Sequence, residues 1–471
     1  MLGVLLAVLL AWLLMALFQA YKPMPKGLSA SMPMRAAENV QLLDDRTYVT
    51  DGGERVSNQR IFDEIGRLIG QARKLIVVDM FLYNEFAGKD SYRPLTDDLT
   101  NALLAARERH ADMSIVLITD PFNTLYGGLQ APHLEQLRSA GIQVVISDLN
   151  ELPASNPFWS GLWHLCCRHA GNNADDGWLP NPVGDGKVTL RSYLALINFR
   201  ANHRKTLIVD EGDTWAGLVT SANPHDASSR HSNNALVFRG AAALDLLASE
   251  ISVLDFSGAL YTVGWPQPPM AIQDLEGTQL QVLTEGRIRD AVLELVDSSV
   301  AGDQLDMEMF YLAHRPTIEA LARASARGVA IRALLDPNRD AFGREKNGIP
   351  NRQAAWDLRD AGIAVRWCAT SGEQCHRKWI RLERANGSAE FVLGSANFTR
   401  RNLDNLNLET SVRLVSQDNA PVMRQARALF ERNWSNPGGN LYSQPYEDFA
   451  DHSRWRYGIY RFMEFSGLST F

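Results

Sequence analysis

Cysteine is scarce in this chain, four among 471 residues, too few for the framework that staples small secreted domains. Cys166 and Cys167 are adjacent, and Cys368 and Cys375 flank a short loop. A bridge between the second pair is geometrically open, but spacing alone does not establish it, so the redox compartment stays undecided. His164, Cys166, Cys167 and His169 lack a second ligand pair at a known spacing, which puts ordinary packing ahead of a metal site. A basic excess is missing as well. With 47 Lys and Arg against 54 Asp and Glu, the net charge is −7, which tilts against a non-specific nucleic-acid binder while leaving room for a local basic cleft. An apolar content of 45% and a charged content of 21% are those of a folded chain, long enough for two domains with separate cores.

Charge is absent altogether from Met1 to Phe18 (MLGVLLAVLLAWLLMALF), a run that just reaches membrane-spanning length. No Lys or Arg precedes it, as one would before a cleaved secretion signal, so residues 1–21 read as an uncleaved transmembrane anchor, with a signal as the alternative. Lys22, Lys26 and Arg35 follow it, and the positive-inside tendency would leave the main body cytoplasmic. So few charges do not fix the side of the membrane.

What the chain does have is duplication. His203, Lys205 and Asp210 reappear as His376, Lys378 and Glu383, each set followed by Ser-Ala-Asn (Ser221 to Asn223, Ser395 to Asn397). His203 to Asn223 is 20 residues and His376 to Asn397 is 21, so a whole unit is repeated. Met80-Phe81 matches Met309-Phe310, Asp120-Pro121 matches Asp336-Pro337, and Leu137 to Ile142 matches Leu358 to Ile363. The offset falls from 221 at Leu137/Leu358 to 173 at His203/His376, which locates an insertion of about 48 residues in the first half.

Helical spacing at Ile61, Phe62, Ile65, Leu68 and Ile69 precedes a short apolar run at Leu75 to Val78. Ile318, Leu321 and Ala322 precede Val329 to Leu335 in the same way. The expected class is α/β, two pseudo-symmetric α/β/α halves, at 36–265 and 270–440, meeting at Gly264 to Pro269, where clustered prolines enter neither element. The insertion, about 151–193, carries Phe158, Trp159, Trp163 and Trp178. It reads as a cap over the site, a loop dipping into lipid, or a self-contained aromatic cluster. The tail, 441–471, interleaves Trp455, Tyr457, Tyr460, Phe462 and Phe465 with Arg454, Arg456 and Arg461, as an interfacial segment or one docked on the body.

On a strand, residues two apart share a face, so each His-x-Lys projects an imidazole and an ammonium together. For one half alone, a buried structural histidine is the plainer reading. Two copies facing each other make a pocket suited to a phosphodiester: Lys205 and Lys378 neutralise its oxygens, and Ser221, Asn223, Ser395 and Asn397 donate hydrogen bonds. One imidazole attacks phosphorus and the other protonates the leaving alcohol, with no metal or other cofactor required. Both copies lie in one chain, so the site needs no oligomer.

From Val40 to Trp434 the chain resembles the phospholipase D superfamily, whose signature is a doubled HxKxxxxD motif followed by a G-[GS]-x-x-N segment. The resemblance implies an active site at the interface of the halves, with Asp210 and Glu383 completing the motifs. Glu383 stands where the family has Asp, and that side chain is expected to support its loop rather than touch substrate. It also implies an acidic residue that orients the motif histidine, matched in the second half by Glu409. Aligning Val237 with Val412 gives Asn234 in the first. From this follows an expected division of labour: Glu409 keeps His376 protonated as acid, and Asn234 leaves His203 neutral as nucleophile. The apolar N-terminus, acidic balance and aromatic insertion favour a phospholipid substrate in a membrane, with water or an alcohol as acceptor. A nuclease-type phosphodiesterase and a non-enzymatic membrane scaffold are the alternatives.

Overall fold

The computed structural model describes all residues except 38, 87–91, 262–263, 270–276 and 342–343. The expected start of the second half, residue 270, lies outside the described residues. The first half contributes strands β1 (Gln41–Asp44), β2 (Leu75–Met80), β3 (Ser114–Thr119), β4 (Gln143–Ile146), β5 (Lys205–Glu211), β6 (Thr214–Thr220) and β7 (Asn234–Arg239). The second contributes β8 (Gln279–Thr284), β9 (Gln304–Met309), β10 (Ala330–Leu335), β11 (Ala364–Cys368), β12 (Lys378–Glu383), β13 (Ser388–Gly394) and β14 (Thr410–Gln417). The first sheet runs β1-β7-β6-β5-β2-β3-β4, and the second repeats that order as β8-β14-β13-β12-β9-β10-β11, extended at its two edges by Arg35–Ala36 and Ser443–Pro445. In both, the three strands at one side are parallel and the others antiparallel. The fold is mixed α/β, as the alternation of helical and strand patterns implied.

Helices α1 (Leu2–Tyr21), α2 (Ile61–Gln71), α3 (Leu95–Arg109), α4 (Pro132–Ser139), α5 (Pro157–Cys166), α6 (Leu190–Leu196) and α7 (Ala241–Phe256) belong to the first part of the chain. After them come α8 (Gly286–Asp297), α9 (Arg315–Ala326), α10 (Asn351–Asp360), α11 (Arg400–Leu403), α12 (Pro421–Ser435) and α13 (Arg454–Ser466). Strand β2, Leu-Ile-Val-Val-Asp-Met, is buried along its whole length, as a strand covered on both faces must be. Its alternate residues feed two cores: Ile76 and Val78 join α2, α3 and α4 on the outside, while Leu75 and Val77 face a middle core. The second sheet divides likewise between its outer helices and the same middle core, where α7 and α12 lie.

That alternation decides where the motifs point. In β5, Leu207 and Val209 face outward and Ile208 inward; in β12, Ile380 and Leu382 face outward and Trp379 inward. By the two-residue period, Lys205 and Lys378 share the outer-core parity, whereas Arg204 and Arg377 take the parity of the interface. Lys205 pairs with Met80 and Lys378 with Met309, the same register in each sheet. The motifs therefore sit where the parallel strands β2 and β9 end.

All four cysteines are bonded in pairs, Cys166–Cys167 and Cys368–Cys375. The sulfurs that could have been read as metal ligands are thus bonded to each other. The insertion is not a loop but holds α5 and α6, and α5 packs on α1. The tail docks on the body through Tyr457 and Tyr460, leaving Trp455, Phe462 and Phe465 exposed.

Candidate active site

The two halves exchange backbone hydrogen bonds beside each motif. His203 N donates to Leu408 O at 2.9 Å and Leu408 N to Ala201 O at 3.0 Å; His376 N donates to Ser232 O at 2.7 Å and Ser232 N to Gln374 O at 2.9 Å. These reciprocal pairs make a local pseudo-twofold in which Leu408 corresponds to Ser232. The next residues, Glu409 and Asn233, then reach across. Nδ1 of His203 lies 2.8 Å from Glu409 Oε1, and Nδ1 of His376 lies 3.0 Å from Asn233 Oδ1. Each histidine is held through Nδ1 by the other half.

This corrects the expected pairing twice. Glu409 holds His203 rather than His376, and the first-half counterpart is Asn233, not Asn234. The alignment of Val237 with Val412 slipped by one. Thr220 pairs with Ala235 and Gly394 with Ser411, so Leu236 is the partner of Val412. A one-residue slip in a strand swaps the faces. Asn234 instead accepts from the Lys378 backbone at 3.1 Å.

Each serine bonds a histidine-holding group of its own half. Ser221 Oγ donates to Asn233 Oδ1 at 2.9 Å and Ser395 Oγ donates to Glu409. Both serines are fully buried. Asn397 Oδ1 is buried without a protein partner and Asn223 Oδ1 takes a 3.4 Å contact from Leu82 N. Lys205 Nζ and Lys378 Nζ donate to the carbonyls of His203 and His376 at 2.7 and 2.8 Å, and lie 5.0 and 5.1 Å from the Phe81 and Phe310 rings. The same rings stand 4.8 Å from the two imidazoles. Asp210 and Glu383 stay outside this cluster. Asp210 caps the start of β2, accepting from Lys74 N at 2.8 Å and Leu75 N at 2.9 Å, and Glu383 pairs with Arg427 at 2.5 Å.

Several working residues were visible only as marks of repetition. Asp120 accepts from Asn202 N and Asp336 from Cys375 N, each at 2.7 Å, pinning the residue before the motif histidine. Phe81 and Phe310 came from the Met-Phe repeat. The middle position of each motif is arginine in both halves, a signal the pattern His-x-Lys hides. Arg204 Nη2 meets Glu285 of the second half at 2.6 Å, and Arg377 Nη2 meets Asp44 of the first at 2.6 Å. His231, 6.0 Å from the His376 ring, had no signal in sequence.

Burial dominates the electrostatics. It pushes His203 down to about 4 against the opposing pull of Glu409, and Lys205 down to about 7. His376 and Lys378 fall well below their usual ranges, from burial first and then from neighbouring cations. Lys205 and His203 both lower His376, and Lys378 lowers His203. An anionic ester placed between the lysines opposes each of these depressions.

Residues 294–434 match the family described as "Cardiolipin synthase, PLD-like domain". No curated protein matches the chain. Among solved structures, phosphatidylserine synthase from Haemophilus influenzae Rd KW20 is similar in fold. It is 10% identical, with a TM-score of 0.58 over 92% of this chain and 94% of that one. Polyphosphate kinase from Porphyromonas gingivalis (15% identity, TM-score 0.47, 90% of this chain and 52% of that) also aligns. So does Nuc, a phospholipase D family member from Salmonella typhimurium (22%, TM-score 0.28, 36% and 99%). The match to the PLD-like family model thus covers the second half of the repeat, and the likeness to the phosphatidylserine synthase is one of fold.

Proposed function

We propose that the chain is a membrane-associated phosphodiesterase that cleaves or transfers phosphatidyl groups through a phosphohistidine. What carries this reading is the crossed pair of imidazoles, each fixed through Nδ1 by the opposite half, beside two lysines. His203 Nε2 attacks phosphorus and the bond to the leaving alcohol breaks as His376 gives that oxygen its proton. His376 then takes a proton from water or an acceptor alcohol, whose oxygen displaces His203. The nucleophile is His203 for a different reason from the one the sequence offered. Attack turns its ring into a cation, and the carboxylate of Glu409 stabilises that cation as the aspartate does in a serine-protease triad. Asn233 orients His376 without adding negative charge, so the His376 imidazolium parts with its proton readily.

The lipid assignment is supported by α1, whose 20 residues carry no charge and which is long and apolar enough to span a bilayer. The two disulfides favour an oxidising compartment for the catalytic halves, against the inward tendency of Lys22, Lys26 and Arg35. The test is incubation of the full chain with phosphatidylcholine or phosphatidylglycerol vesicles, with and without glycerol. Phosphatidic acid is the expected product of hydrolysis, and phosphatidyl-alcohol or cardiolipin that of transfer. Cleavage of single-stranded DNA with no lipid turnover would replace the reading with a nuclease, and inertness toward both would leave a scaffold.

A further inference from the structure

The insertion and the tail carry apolar side chains on the wrong side for a soluble body. Helix α5 turns Ser160, Trp163 and His164 inward and leaves Phe158, Leu162 and Leu165 62%, 40% and 44% exposed, a single stripe at i, i+4 and i+7. In α13, Tyr460 is buried while Trp455, Phe462 and Phe465 are 77%, 61% and 84% exposed. Those three residues also form one stripe, opposite the docked face.

The α5 stripe is continuous with α1. Gly161 of α5 sits so close to Ala16 that an added Cβ would lie 2.8 Å from the Ala16 nitrogen, the small-residue contact that lets helices approach inside lipid. Trp12 Nε1 donates to Phe158 O at 2.8 Å, Arg200 Nη2 to Gln19 Oε1 at 2.9 Å, and Lys22 Nζ to Asn150 O at 2.5 Å. Helix α1 is therefore built into the body through its C-terminal half and does not hang from it as a tether. At 1.5 Å per residue, the Trp12 level, where Phe158 lies, is roughly 15 Å below Lys22 along the α1 axis, the depth of about one leaflet. The end of α13 joins the same face: Gly467 packs directly on the Ser155 carbonyl that leads into α5. Ser155, Gly467 and Phe471 line one shallow crevice with Arg401, four residues beyond Asn397. Tyr311, next to Phe310 at the His376 ring, lies 6.4 Å from Phe471.

We propose that α5 enters the leaflet nearest the catalytic halves beside α1, with the Phe462–Phe465 end of α13 at its surface, so that the bilayer covers the mouth of the site. The occupant of this face is lipid because the stripe it continues, on α1, is itself of membrane-spanning length and only 11% buried. The inference rests on the lipid reading of the active site, and names the surface that would deliver the substrate.

With the native cysteines bonded in pairs, single cysteines at Phe158→Cys, Leu162→Cys, Phe465→Cys and, as a distant control, Val300→Cys can carry an environment-sensitive nitrobenzoxadiazole label. The full chain is reconstituted in phosphatidylglycerol-phosphatidylcholine vesicles containing nitroxide-labelled acyl chains. Labels at Phe158 and Leu162 are expected to be quenched several-fold more than at Val300, with Phe465 quenched best by nitroxides near the headgroup. Quenching at Val300 levels throughout overturns the proposal. So does an apolar signal that ignores the nitroxides and disappears on dilution, because a second copy then covers the face. In parallel, Phe158→Glu/Leu162→Glu is expected to lower turnover of vesicle lipid at least 10-fold while sparing a monomeric short-chain phosphatidyl substrate. Equal loss on both substrates contradicts a delivery role. If neither substrate is turned over by the unaltered chain, the reaction reading fails, while the quenching still decides the membrane face.

Discussion

Replacing His203 with alanine is expected to lower kcat/KM by about 10⁴-fold or more for every phosphodiester tested, because the proposed mechanism forms the covalent intermediate on that ring. His376→Ala should behave differently. A general acid is worth roughly 10²–10⁴-fold where the leaving group is an alkoxide, and that loss should appear with a natural phospholipid. With a p-nitrophenyl ester the leaving group needs no proton, so most of the first step should survive in His376→Ala and not in His203→Ala. Glu409→Gln should fall between, since a neutral acceptor still orients Nδ1 of His203 but no longer stabilises the cation. Steady-state rates on the two ester types, for the three variants, check all of this. Equal sensitivity of both histidine variants to the leaving group would mean that the roles are not divided as described.

The second large effect concerns stability. Arg204 is fully buried, 2.6 Å from Glu285 and 3.4 Å from Glu250, both also fully buried. Removing one member of such a cluster strands its partners, at a cost of about 3–5 kcal/mol, whereas the intact pair itself contributes little. Arg204→Ala should therefore shift the urea midpoint strongly downward, and adding Glu285→Gln should recover part of the loss. The activity of the single variant should drop as well, since Glu285 Oε1 also accepts from Glu409 N at 3.1 Å, which places the carboxylate that holds His203. An unchanged midpoint in Arg204→Ala would show that the crossed ion pairs do not join the halves.

Much of the site was legible because duplication checks itself. Two histidines, two lysines and two Ser-Ala-Asn segments at matched spacings leave few alternatives, and the strand runs after His203 and His376 needed only a period of two. The misread histidine holders and the overlooked arginines lie at contacts between the halves, where sequence offers no spacing to read. Glu409 was paired with the nearer motif because the crossing is set by the Asn202–Leu408 and Ser232–Cys375 bridges, which no local pattern encodes. Asn234 displaced Asn233 because two adjacent asparagines make a one-residue slip invisible until the register of β6 and β7 is known. Arg204 and Arg377 were passed over because residues on the alternate face of the motif strand look like spacers until the opposing acids, Glu285 and Asp44, come from the other half. The insertion read as a loop because its aromatic content outweighs its short helical runs, and its partner, α1, lies over a hundred residues earlier in the chain.

The proposed mechanism holds one phosphorus atom between His203 and His376, with His203 bonding to it. It is tested most directly by mixing the His376→Ala chain with a p-nitrophenyl phosphatidyl ester, quenching in alkali, and mapping the phosphorylated peptide by mass spectrometry. A burst of one p-nitrophenolate per chain with the phosphatidyl group on His203 is the result expected. A burst that persists in His203→Ala, with the adduct on His376, would contradict the account.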